Sequence, residues 1–369
     1  MKLKVLAAPL NWGLGHATRL SALIDRRIAA GDEVVIAGDG MSFEWLKRRY
    51  PTLRAILLPS LELHYAADGN QVKDLLKQLP QVVRWLWNDG KALDSLLAKE
   101  HFDLVISDNR FAFSSRRVKC VYVTHQLNVM TGNHALLSRL ATAMHRWFIR
   151  HYDECWVPDY EAAPGLAGDL SHIKGGVAKI NEQSERFKIK YVGPLSRFGG
   201  RIRSQESGGK SQEARDMTYQ VHHELSATNV AVLSGLEPHR TMLENELMRR
   251  WQGSDYVIIR GMVGGAECHV DSSSHGLGHL LDTADDATLE RLLLNAKHIV
   301  CRSGYSTIMD LDALGLLPQH DIQGNAHLHN DETLKENETK NTNRLVELIP
   351  TPGQPEQEYL AKLHTAQNK

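Results

Sequence analysis

Short, wholly apolar runs alternate with longer segments of helical periodicity along nearly the whole chain, and that pattern leaves few architectures open. Val5–Leu10, Glu33–Ala37, Ala55–Leu58, Leu104–Ser107, Cys120–Thr124 and Glu154–Val157 read as strands; His16–Ala30, Phe43–Tyr50, Val72–Lys99 and Ala135–His151 read as the helices between them. Strands without polar alternation are buried on both faces, so they belong to a parallel sheet covered by helices on either side. From Phe198 to about Thr228 the chain turns Gly-, Ser- and charge-rich, which predicts a linker. The alternation then restarts, with Asn229–Ser234, Tyr256–Arg260, His298–Cys301 and Leu345–Pro350 as strands and His239–Trp251, Thr288–Ala296, Thr307–Leu314 and Glu356–His364 as helices.

Two doubly wound α/β domains in series follow. Their expected extents are 1–197 for the first, 198–228 for the linker and 229–355 for the second. A polar insert at 318–344 interrupts the second domain, and a terminal helix at 356–369 is expected to turn back toward the first. The length of 369 residues suits this division.

Composition excludes several classes. Forty-three Lys plus Arg against 44 Asp plus Glu give a net charge of −1, which supplies no general field for nucleic acid. Four cysteines, Cys120, Cys155, Cys268 and Cys301, have neither disulfide nor zinc spacing and point to a reducing cytosol. No apolar run is long enough to cross a bilayer, so any membrane contact is expected to be peripheral. Trp85, Trp87 and the segment Leu137–His151, where apolar residues mix with Arg139, Arg146 and Arg150, are the expected place for it. Histidines at 275, 279, 320, 327 and 329 lack a carboxylate or thiolate partner at ligand spacing, and no metal is expected.

Chemistry concentrates at strand-to-helix junctions, because ligands of open α/β sheets sit beyond the carboxyl ends of the strands. Asn11-Trp12-Gly13-Leu14-Gly15-His16-Ala17-Thr18-Arg19 follows the first strand; Gly13 and Gly15 let a substrate approach backbone, and His16 is a candidate general base. It is not a dinucleotide fingerprint, since Thr18 stands where the third glycine would be. Asp108, in Ser107-Asp108-Asn109-Arg110, is the second candidate base. Cys301-Arg302-Ser303-Gly304-Tyr305-Ser306-Thr307-Ile308-Met309-Asp310 opens a helix whose backbone N–H groups suit a diphosphate, with Asp310 one turn on placed for a ribose hydroxyl. Pro350-Thr351-Pro352-Gly353-Gln354-Pro355-Glu356-Gln357-Glu358-Tyr359 carries amide and carboxylate groups suited to sugar hydroxyls, and His125 with Asn128 follows another strand.

Four of these motifs together resemble the family-28 glycosyltransferases, bacterial enzymes of the type that adds N-acetylglucosamine to a lipid-linked precursor. CRSGYSTIMD with LIPTPGQPEQEY looks like that family's donor region, GLGHATR its glycine-rich amino-terminal loop, and THQLNVMTG its His-x-x-Asn-x-x-x-Gly stretch. The resemblance implies a GT-B architecture, two Rossmann-like domains facing a cleft. It implies a nucleotide-sugar donor, favouring a uridine diphosphate sugar, as co-substrate without a cofactor. Transfer would be inverting and metal-independent, onto a hydroxyl acceptor that is lipid-linked or part of the cell envelope, at the inner face of the cytoplasmic membrane. It places the diphosphate at Ser303, Gly304, Tyr305 and Ser306, the ribose at Asp310 and the sugar at Gln357 and Glu358. Ser234 and Gly235 take a phosphate-facing loop, Arg260 and Arg302 support the leaving group, and Gly13, Gly15, His125 and Asn128 face the acceptor. The chain departs from the family at Glu237 in the Ser234 loop and at Gln126-Leu127. A nucleotide-sugar hydrolase of the same fold, and a non-catalytic nucleotide-sugar-binding subunit, are the alternative readings.

Overall fold

The computed structural model describes residues 2–59, 78–132, 134–184, 187–199, 227–235, 237–263, 269–271, 278–317 and 344–365. Most of the expected linker and all but Arg344 of the expected insert lie outside the described residues, as do His275, His320, His327 and His329.

The first domain is a seven-stranded parallel sheet of β1 (Lys4–Pro9), β2 (Glu33–Gly38), β3 (Arg54–Leu57), β4 (Leu104–Asp108), β5 (Lys119–Val123), β6 (Glu154–Val157) and β7 (Lys188–Tyr191). Their order is β3-β2-β1-β4-β5-β6-β7. One face is covered by α1 (Leu14–Ala29) and α2 (Gly40–Arg49), whose Leu20, Leu23, Phe43 and Leu46 are buried against Val5, Ala7 and Ile36. The other is covered by α3 (Leu79–Lys99), α4 (Ala135–Ile149) and the short α5 (Ala178–Gln183); Leu93 and Ile149 share one core cluster with Leu6, Val35 and Tyr122. Alternate residues of the same strands feed the two clusters, which is why these strands read as continuous apolar runs.

The second sheet contains β8 (Asn229–Val232), β9 (Tyr256–Ile259), β10 (His269–Asp271), β11 (Gly278–Leu281), β12 (His298–Arg302) and β13 (Leu345–Ile349), ordered β10-β11-β9-β8-β12-β13. Helices α6 (His239–Arg250), α7 (Asp286–Asn295) and α8 (Tyr305–Ala313) connect them. The sheet is parallel except at its edge, where β10 runs antiparallel to β11. That edge pair and β7 escape the sequence pattern because they are short and polar: KIKY in β7, GHLL in β11.

In each sheet the strand order reverses direction at one place, between β1 and β4 in the first and between β8 and β12 in the second. Connections leave such a pair toward opposite sides and open a crevice at the carboxyl ends. The two crevices are held together from both sides. Tyr305 of α8 donates its hydroxyl to the Pro158 carbonyl at 2.7 Å, Tyr160 donates to Asp312 at 2.8 Å, and one hydrophobic cluster runs from Val5 and Leu20 through Leu195 to Ile308 and Met309. The C-terminal helix α9 (Pro355–Thr365) packs onto the 159–172 loop: the Asp169 backbone N–H donates to Tyr359 Oη at 2.8 Å, and His364 Nε2 donates to the Leu166 carbonyl at 2.9 Å.

Candidate active site

β1 ends at Pro9, in register with Asp108 at the end of β4. The chain then turns through Gly13, whose φ of 77° lies in the left-handed region glycine tolerates best, and α1 starts at Leu14 with no side-chain cap. The Gly13 carbonyl accepts from Ser42 Oγ at 2.8 Å, which fixes the turn. His16 sits in the first turn of α1 and reaches back to Asp108, with Nδ1 2.7 Å from Oδ1.

Arg19, one turn further along the same helix face, lies in the same buried cluster. Its Nε donates to Asp108 Oδ2 at 2.8 Å, and its Nη2 donates to Oδ1. Burial pushes the Asp108 carboxyl up, but Arg19 and then His16 outweigh it and hold it below the usual carboxylate range. Nδ1 has two neighbours, the Asp108 carboxylate at 2.7 Å and Arg19 Nη2 at 3.1 Å; the shorter, charge-assisted contact to a carboxylate that only accepts puts the His16 ring proton on Nδ1 and leaves Nε2 bare. That is the tautomer a general base requires. Removing one member of this buried ion pair would leave a charge uncompensated, at about 3–5 kcal/mol.

The cluster continues to the other domain. Arg19 Nη1 donates to His125 Nδ1 at 3.1 Å, so His125 carries its proton on Nε2, which donates to Glu356 Oε1 at 2.7 Å. Gln126 Nε2 donates to the other Glu356 oxygen, and the His125 ring stacks on Tyr305 with centroids 4.1 Å apart and planes inclined by 14°. Burial pushes the Glu356 carboxyl up, and the His125 contact, with Arg19 behind it, brings it below its ordinary range.

On the second-domain side β12 hands over to α8 through Ser303-Gly304. No side chain caps this helix, and a Cβ built on Gly304 meets nothing within 4 Å, so the N–H groups of the first turn border open space. The hydroxyls beside them are committed: Ser303 Oγ donates to the Gln357 carbonyl at 2.8 Å and Ser306 Oγ to the Gly15 carbonyl at 2.7 Å. Thus the uncapped N-termini of α1 and α8, one from each sheet, meet at Gly15 and Ser306, and their two positive dipole ends converge beside His16.

Other residues singled out by sequence hold the framework. Arg302 donates to the carbonyls of Pro350 and His239 at 2.9 and 2.7 Å. Arg260 pairs with Glu244 and Asp282, and Asp310 accepts from Ser196 Oγ at 2.7 Å and Arg197 Nε at 2.9 Å. Asn128 donates to the carbonyls of Asp169 and His172, and Gln357 is turned onto Thr351 and Gln354. Glu358 is exposed, while a Cβ built on Gly235, whose φ is 110°, would come 3.9 Å from Thr351 Oγ1. Buried Thr351 Oγ1, beside Gly235, has no hydrogen-bond partner among the described residues.

Sequence reasoning passed over Arg19, Thr351 and Glu356. Arg19 carried a usable signal, three positions after His16 on an otherwise apolar helix face; Glu356 lay beside the two residues chosen instead. Among the described residues no three His, Cys, Asp or Glu side chains form a metal-binding group. A groove of about 480 Å³ lined by Arg116, Arg117, Lys119, Asp153, Glu154 and Lys188 lies at the amino ends of β5, β6 and β7, the end opposite the one ligands use in such sheets.

No family model and no curated protein matches the chain in sequence. Among solved structures, Arabidopsis thaliana UGT89C1 in complex with quercetin aligns over 100% of this chain and 90% of its own, with 13% identity and a TM-score of 0.50. The glycosyltransferase SnogD from Streptomyces nogalater aligns over 100% and 96%, with 13% identity and a TM-score of 0.46. The fold is GT-B. The likeness is one of fold and does not single out family 28.

Proposed function

We propose that this GT-B protein is a glycosyltransferase that moves a sugar from a nucleotide diphosphate, with uridine diphosphate favoured, to an acceptor hydroxyl in the interdomain cleft. The observation that carries the reading is the meeting of two uncapped helix N-termini, from different sheets, next to a histidine whose Nδ1 is 2.7 Å from a buried carboxylate. Helix N-termini stabilise a departing diphosphate electrostatically without a metal ion. His16 Nε2 takes the acceptor proton as the hydroxyl attacks the anomeric carbon, Asp108 holds the ring in the required tautomer, and a single displacement inverts that carbon. Thr351 and the N–H groups around Gly304 bind the phosphates, and the Ser234-Gly235 loop flanks them. UGT89C1, whose fold is similar, forms complexes with UDP-L-rhamnose, UDP and quercetin, which agrees with a nucleotide-sugar donor and a hydroxyl-bearing acceptor.

The test is a thermal-shift panel of nucleotide sugars followed by product analysis. A donor at one hundred times its dissociation constant stabilises the protein by about 2.7 kcal/mol. Sugar transferred to an added acceptor supports the transferase; free sugar released from donor alone at full rate makes it a hydrolase; tight binding without turnover in any acceptor mixture makes it a binding subunit.

The acceptor side favours a lipid-linked molecule at an anionic surface. On α4, Leu136, Leu140, Met144 and Trp147 form one stripe, each 58–70% exposed, and α3 on the same sheet face exposes Val83 and Trp87. Arg139 and Arg150 of the Leu137–His151 segment are exposed beside the stripe. Apolar side chains rimmed by cations suit an anionic lipid interface. Trp85 takes no part, being buried beside Arg110. No helix among the described residues is long and apolar enough to cross a membrane.

A further inference from the structure

Glu356 belongs to the helix that follows the second sheet, yet both of its side-chain partners, His125 and Gln126, belong to the first domain. Tyr305, which stacks on the same histidine, also comes from the second domain, and its hydroxyl is anchored on the Pro158 carbonyl. The ring's acceptor and its stacking partner therefore both come from beyond the linker, Tyr305 from α8 of the second domain and Glu356 from the start of α9, which Gln357 ties to Ser303 and Thr351 of that domain. On its other edge that ring meets Arg19, which meets Asp108, which meets His16.

We infer that Glu356, His125 and Arg19 form a positioning relay that fixes the ring proton of His16 only while the two domains are apposed. Each link follows from which atoms can donate. Arg19 has no acceptor, so His125 Nδ1 must be bare to receive its Nη1–H at 3.1 Å. The histidine proton then belongs on Nε2, where Glu356 accepts it at 2.7 Å. With one fork arm satisfied by His125, Arg19 gives Nε and Nη2 to Asp108; Nη2 also stands 3.1 Å from His16 Nδ1, but the 2.7 Å contact of that nitrogen with the Asp108 carboxylate is the shorter, charge-assisted one and decides where the ring proton sits. Asp108, oriented in turn, holds the proton on His16 Nδ1. Arg19 is 2% exposed, so water does not replace a lost partner.

When the domains part, His125 loses both its acceptor and its stacking partner. A proton on Nδ1 then faces the Arg19 N–H groups, donor against donor, and the guanidinium is displaced from Asp108. The base is competent only in the closed cleft, which confines chemistry to the state in which acceptor and donor have displaced bulk water. This function rests on the transferase reading above; the geometry of the relay does not.

The experiment uses the full-length chain labelled with ¹⁵N-histidine, with ring tautomers read from long-range ¹H–¹⁵N spectra. In the wild type, His16 is expected as the Nδ1–H form and His125 as the Nε2–H form. Glu356→Ala, although it touches neither Asp108 nor His16, is expected to turn the His16 signal into a tautomer mixture. Glu356→Gln, which retains an acceptor oxygen, is expected to keep the wild-type pattern. His125→Phe enters the relay at a second point, keeps the aromatic stack and is expected to reproduce the His16 mixture, so the test survives if Glu356→Ala does not fold. A His16 signal identical to wild type in the folded Glu356→Ala or His125→Phe protein overturns the relay. Absence of turnover in the wild type with every donor sinks the transferase reading instead and leaves the spectra to decide the relay.

Discussion

His16 and Asp108 lie 92 positions apart in the chain and 2.7 Å apart in space, one at the start of the helix after β1 and the other at the end of the adjacent strand β4. The strand-order reversal brings them together: β1 and β4 are neighbours only because the chain, after filling one side of the sheet, returns to fill the other. The pair thus sits where an open α/β sheet gathers its ligands.

From this pairing, His16→Ala is expected to lower transfer about 10²–10⁴-fold while leaving donor-induced thermal stabilisation intact. Asp108→Asn should lose activity to a similar extent, because an amide cannot enforce the Nδ1–H tautomer, and it also leaves Arg19 without its counter-charge. Turnover in the His16→Ala protein equal to wild type would remove His16 as the base.

Two parallel-sheet domains and their strand-to-helix junctions were legible because parallel strands buried on two faces leave a continuous apolar signature; the order of the strands was not. Residues such as Asp108 and His16 could be named as candidates because they punctuate those junctions. Their partners were less visible. Arg302 and Asp310 stand at a ligand-facing junction by position, yet their side chains turn back to hold Pro350, His239, Ser196 and Arg197. Position along a helix start does not reveal which way a side chain turns. Nor does sequence show that Glu356, rather than Gln357 or Glu358, reaches the first domain, since that depends on how α9 lies across the 159–172 loop.

Gly304 separates the donor site from the fold. Its φ of −72° is open to any residue, and a Cβ there meets no protein atom within 4 Å. Gly304→Val should therefore leave the unfolding temperature nearly unchanged, while its methyl groups occupy the space over the α8 N–H groups and weaken nucleotide-sugar binding at least tenfold. Calorimetry of the variant with the donor found for the wild type checks this. An unaltered dissociation constant would place the diphosphate elsewhere.

Acid stability should carry the imprint of His145. Its ring is buried against Phe111 and Tyr122, Nε2 is 3.1 Å from the Tyr122 hydroxyl, and Arg146 and His125 stand nearby. Burial pushes its pKa down to about 4, and the neighbouring Arg146 guanidinium acts in the same direction. Because the unfolded chain takes up this proton near pH 6.5 and the folded one only near 4, stability is complete above that window and falls as pH drops through it, by roughly 3 kcal/mol. Denaturant titrations of wild type and His145→Phe between pH 7 and 4 should diverge in slope. Parallel curves would show that His145 is not the group responsible.

The exposed stripe of α4 makes the acceptor side testable without knowing the acceptor. Leu140 and Met144 are 59% and 61% exposed, one turn apart, and Arg139 and Arg150 lie exposed beside the stripe. The inner face of the same helix is tied to the loop after β5, with Thr142 Oγ1 accepting from the Val129 N–H at 2.9 Å and Ser138 Oγ accepting from the Thr131 N–H at 3.1 Å. A surface seated on lipid through the stripe would therefore bring the His125–Asn128 loop to the interface, where a lipid-linked acceptor presents its head group. Wild-type protein should sediment with vesicles containing phosphatidylglycerol and much less with pure phosphatidylcholine, because the apolar contacts need the electrostatic attraction to hold. Leu140→Glu with Trp147→Glu changes two exposed positions and should leave the fold intact while lowering vesicle binding roughly tenfold or more. Binding that ignores anionic lipid, or that survives the double substitution, would detach the stripe from the membrane and leave a soluble acceptor as the better account.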